Sequence, residues 1–83
     1  MDDLIEVSVF SYEDEPWKIY FSFDIMYGIV YGDGEEETYA KRDEMKKELE
    51  AEYRRHNKPS KKFINSFGEK YNVDIFNSFF KMF

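Results

Sequence analysis

The sequence predicts an α+β fold: a three-stranded antiparallel meander followed by one long and two short helices packed on one face (β-β-β-α-α-α). Three observations carry this. Apolar and polar residues alternate in the first third of the chain. Glu35–His56 then runs twenty-two residues without Gly or Pro. The stretch beyond it places six of the nine phenylalanines at helical spacing. Residues 1–83 are expected to make a single small domain.

The first strand is expected over Leu4–Tyr12, where Ile5, Val7 and Val9 alternate with Glu6, Ser8 and Phe10. Glu13-Asp14-Glu15-Pro16 is a polar turn. Trp17–Asp24 is the clearest strand, with Trp17, Ile19, Phe21 and Phe23 on one face and Lys18, Tyr20, Ser22 and Asp24 on the other. A third apolar run, Ile25–Tyr31, follows a tight turn near Asp24–Met26. Gly28 inside it marks a bulge or a close backbone approach. A hairpin at Gly32-Asp33-Gly34 would make Glu35–Tyr39 a fourth strand, but three consecutive glutamates disfavour it.

Glu35–His56 reads as the long helix. Asp33 and Glu36 have capping-box spacing, with Thr38 as a rival N-cap. Acids at its start and Arg54, Arg55 and His56 at its end complement the helix dipole. Glu37–Lys41, Asp43–Lys47 and Glu50–Arg54 are opposite charges at i,i+4. Its apolar stripe is thin: Thr38, Met45, Leu49 and Tyr53, with Arg42 inside it and Tyr39 at its edge. Asn57 and Pro59 end it. Ser60 caps a second helix, Lys61–Tyr71, with Phe63, Ile64, Phe67 and Tyr71 on one face. Asp74 caps a third, Ile75–Phe83, whose Phe stripe is wide.

Composition narrows the function classes. With no cysteine, the chain has no disulfide, thiolate nucleophile or zinc–sulfur site; the cytosol is the expected compartment. The acidic Met1-Asp2-Asp3 is unlike a signal peptide, and no apolar run approaches the ~20 residues of a membrane span. The net charge is −6, unevenly distributed. Residues 1–39 hold eleven acids and a single base, Lys18, whereas residues 40–83 hold eleven bases and seven acids.

No catalytic kit is legible, and no enzyme activity, metal or cofactor is expected. His56, the only histidine, sits at a helix C-terminus, where a dipole-stabilised cation is its ordinary role. Asp33, Glu35, Glu37 and Glu44 match positions 1, 3, 5 and 12 of a calcium loop, but Thr38 replaces the required glycine. Gly32 and Gly34 precede three glutamates that repel phosphate.

Two surfaces remain. A basic stripe runs from Lys41 to Lys62, but its bases alternate with acids on an acidic chain, so nucleic acid is not the expected partner. The outer sheet face is expected to present Tyr20 beside Phe10 or Tyr12 and Tyr27 or Tyr31, rimmed by acids. The partner-binding residues are therefore expected to be Glu13, Asp14, Glu15, Tyr20, Asp24, Tyr27, Glu35, Glu36 and Glu37, with a basic protein surface as the partner. In general character (short, acidic, aromatic-rich and cysteine-free) the chain resembles small accessory proteins of phage and other mobile elements. That resemblance implies an inhibitor that covers a basic surface of a host protein, in some cases by imitating the charge of DNA. A nucleic-acid-binding regulator using Lys41–Lys62 is the alternative. A homodimer through Ile75–Phe83 is a third reading.

Overall fold

A computed structural model describes residues 5–12 and 16–73. It contains β1 (Ile5–Phe10), β2 (Lys18–Phe23), β3 (Met26–Tyr31), α1 (Glu35–His56) and α2 (Lys61–Tyr71). The sheet is an antiparallel meander in the order β1-β2-β3. The α+β architecture and its first five elements thus match expectation, with two helices among the described residues. The third helix, expected over Ile75–Phe83, and the turn at Glu13-Asp14-Glu15 lie outside the described residues.

Alternation sorts β2 cleanly. Ile19, Phe21 and Phe23 are fully buried, whereas Lys18, Tyr20 and Ser22 are only half-buried. Asp24 and Ile25 form a two-residue hairpin that sets Phe23 against Met26. Asp24 takes a positive φ of 58°, which its short polar side chain tolerates. Gly28 makes no bulge. It lies in unbroken register opposite Phe21, buried on the inner face, and adds no side chain beside that ring.

The junction from β3 to α1 is built from contacts that only glycine permits. Gly32 donates its N–H to the Trp17 carbonyl at 2.9 Å. A Cβ on Gly32 would lie 1.9 Å from Thr38 Oγ1, so the buried Thr38 fills the place of that side chain. The helix N-cap is Gly34, at φ 91°, and not Asp33 or Thr38. Glu37, rather than Glu36, reaches back and accepts the Asp33 N–H at 2.8 Å. The Thr38 hydroxyl donates to the Gly34 carbonyl at 2.5 Å. The positive φ of Gly34 shifts the cap one residue past Asp33, and the reciprocal acid shifts with it.

α1 buries Thr38, Met45, Leu49 and Glu52. Asn57, in the left-handed region, ends it by donating to the Tyr53 carbonyl at 2.8 Å. The expected Ser60 cap is present, its hydroxyl accepting the Phe63 N–H at 3.1 Å. Ile64, Phe67 and Tyr71 of α2 turn inward. The core joins these to Ile19, Phe21, Phe23, Met26, Val30, Met45 and Leu49. Rings meet at Phe21–Phe67 (5.1 Å), Phe23–Tyr53 (6.2 Å) and Phe67–Tyr71 (4.8 Å). Both helices therefore use the face of the sheet that carries Phe21 and Phe23. Among the described residues no helix is long and apolar enough to cross a membrane.

Candidate functional site

With α1 and α2 on the inner face, strand register lays out the other face as three rows of three. Ser8, Tyr20 and Ile29 form the middle row. Phe10, Lys18 and Tyr31 form the row nearer the start of α1. Glu6, Ser22 and Tyr27 form the row nearer the hairpin. Tyr20 is at the centre, with Phe10, Tyr27 and Tyr31 on its diagonals, near enough for aromatic side chains to touch. Tyr27 is 38% exposed and Tyr31 45%, while Tyr20 is half-buried among its neighbours. Tyr12 extends the patch, edge-on to Phe10 at 6.2 Å and 66% exposed. Lys18 Nζ lies 5.8 Å from the centre of the Phe10 ring. Ile29, absent from the residues predicted for this surface, adds an aliphatic centre beside Tyr20. Its place follows from the β2–β3 register, which the sequence does not state before the hairpin is known.

The predicted acids do not form one cluster. Asp24 sits in the exposed hairpin at one end of the sheet, while Glu35, Glu36 and Glu37 open α1 beyond the other. A six-residue strand separates these ends by roughly 20 Å. Glu37 is committed locally. The Asp33 N–H, and then Lys41 at 3.4 Å, hold its carboxyl below the usual pKa. Glu35 and Glu36 are exposed and line a shallow recess with Tyr39. Glu6 is an exposed acid on the face itself. Glu13, Asp14 and Glu15 lie outside the described residues.

The basic stripe is broken up by its partners. Lys41 bonds the Tyr31 carbonyl at 3.1 Å and also pairs with Glu37. Arg42 pairs with Asp43 at 2.9 Å, in place of the expected Asp43–Lys47 pair, and stacks on Tyr39 at 5.3 Å. Arg55 pairs with Glu52 at 3.0 Å. Lys46, Lys47 and Arg54 fall within about 100° of one another around α1, with the acid Glu50 between them, while Lys58 lies in the turn after α1 and Lys61 and Lys62 open α2.

Sequence reasoning missed two polar clusters, one around Glu52 and one around Glu48. Glu52 is only 2% exposed; its carboxylate accepts the Ser60 N–H at 2.9 Å and the Arg55 guanidinium at 3.0 Å. Burial pushes its pKa up, but the Ser60 donors, Arg55 and the nearby His56 outweigh that and lower it. On the next turn back, Glu48 accepts the Tyr71 hydroxyl at 3.0 Å and pairs with Lys70, which also meets Glu44 at 3.3 Å. Burial first, and then Glu48, raise the Tyr71 pKa; Glu48 raises that of Lys70. These contacts tie α2 to α1. Of the four positions that matched a calcium loop, Asp33 precedes α1, Glu35 and Glu37 lie in its first turn and Glu44 lies further along it beside Lys70; among the described residues no group of three or more acids or histidines could hold a metal ion.

No protein-family model, curated protein or solved structure matches this chain.

Proposed function

We propose that this chain is a non-enzymatic protein-interaction module that docks through its outer sheet face on a basic surface of another protein and thereby inhibits that protein. The single observation behind the reading is the aromatic grid centred on Tyr20, lying on the opposite face to both α1 and α2. Tyrosine is well suited to this work: it offers a large apolar ring and a polar tip for little loss of side-chain freedom. The net charge of −6, with Glu6 on the face and Asp24, Glu35 and Glu36 beyond its ends, favours a basic partner and speeds encounter with one. Covering a basic host surface in the manner of a mobile-element accessory protein is the biological role that fits this chemistry.

The alternative is a nucleic-acid-binding regulator that uses Lys41–Lys62. Its bases run from α1 through the following turn into α2, and Lys41, Arg42 and Arg55 are each matched to a carboxylate. Titration of fluorescent single- and double-stranded DNA and RNA at about 50 and 200 mM salt separates the two readings. The proposal expects no binding even at the lower salt. Binding that weakens steeply between the two salt concentrations overturns it and assigns function to the basic segment.

A further inference from the structure

β1 and β3 are the two edges of the sheet, and the core treats them differently. On β3 the inward Met26 and Val30 are 0% and 1% exposed. On β1 the inward Ile5, Val7 and Val9 all remain only half-buried. Between β1 and α1 lies an open cleft of about 620 Å³, whose apolar lining is Ile5, Val7 and Tyr53. Along its α1 wall Glu50 stands between Lys46 and Arg54, while Glu6 meets the cleft at the strand edge and keeps its carboxylate on the outer face, where it accepts the Ser8 hydroxyl. Of the devices that keep sheet edges apart β1 carries one charge, Glu6: residues 5–10 contain no Lys or Pro, and their register with β2 is unbroken.

We propose that β1 pairs antiparallel with β1 of a second copy of this chain, around a two-fold axis through Val7, joining two three-stranded sheets into one. The strand is self-complementary in this register. Val7 faces Val7, Ile5 faces Val9 on the inner side, and Glu6 faces Ser8 on the outer side. Slipping by one residue sets inner positions against outer ones. Slipping by two either opposes Glu6 to Glu6 or leaves Ile5 against Ser11. A two-fold contact must match a surface to itself, and the mixed charges along this cleft spare it the acidic excess of a chain of net charge −6 as it approaches its own copy. The joined sheet would align both outer faces and bring two Tyr20 platforms onto one surface. This pairing stands independently of the partner proposed above.

Light scattering on the full chain from micromolar to millimolar concentration tests it, with circular dichroism to verify that each variant is folded. Twice the monomer mass, falling to the monomer on dilution, is expected. Ser8→Glu sets a carboxylate against Glu6 twice per dimer and should raise the dissociation midpoint by about tenfold, whereas Ser8→Lys should leave or lower it. The chain has no cysteine, so Val7→Cys supplies a sole thiol that faces its own copy and should oxidise to a covalent dimer; Ser8→Cys should not. A monomer mass at every concentration overturns the proposal. So does a dimer that ignores Ser8→Glu and is not cross-linked through Val7→Cys.

Discussion

Glu52 occupies a position where helix spacing asks for an apolar side chain, one face-turn beyond Leu49, and it is buried there. Spacing alone could have flagged it, since it is seven residues past Met45. Its charge made it read as surface, and the Ser60 N–H that satisfies it depends on how the chain turns after Pro59. Replacing Glu52 with Ala leaves that N–H without its partner and should cost ~1–3 kcal/mol, readable by urea unfolding. The pH dependence follows from its lowered pKa. Glu52 contributes its stabilisation above the ordinary value of 4.5 and loses it as pH falls through the lower folded value. Melting temperature should therefore fall less steeply with acidification for Glu52→Gln than for the parent; equal slopes would assign the acid sensitivity elsewhere. Gly32 makes the complementary point. Any side chain there collides with Thr38, and Gly32→Ala should cost roughly 1–3 kcal/mol by overpacking. From sequence, Gly32 was legible as a break in the chain but not as a packing site, because Thr38 meets it only once α1 folds back.

Among the elements, those with strong periodicity were legible. β2 alternates without exception, and α1 combines good helix formers with complementary end charges, so both fell close to their expected bounds. The first strand ends at Phe10, two residues short of the expected Tyr12, because pairing stops where β2 begins at Lys18. The thin stripe of α1 proved sufficient because Met45 and Leu49 are completely buried in the core. Leu49→Ala should cost about 2–5 kcal/mol, a large share of what a chain of this size can hold. The hairpin between β2 and β3 should respond the other way. Asp24 holds a positive φ that glycine adopts freely, so Asp24→Gly should leave the sheet unharmed or stabilise it by about 1 kcal/mol, measured as a shift in the unfolding midpoint.

At the scale of the whole molecule, charge and apolar surface are distributed in ways that composition foretells only in part. That an outer face rich in tyrosine exists was readable from the alternation of β2. Its arrangement around Tyr20, with Ile29 included and Asp24 remote from Glu35 and Glu36, required the registers of both strand pairs. The same separation means that acids frame the platform from its ends and do not form one patch. Docking should therefore depend more on the aromatic centre than on any single carboxylate. Affinity chromatography with the immobilised full chain, run beside a Tyr20→Ser variant of equal thermal stability, tests this directly. A basic protein that the parent retains, that salt releases and that Tyr20→Ser fails to hold is the predicted result. Equal retention by the two chains would contradict the assignment of the outer sheet face as the docking surface.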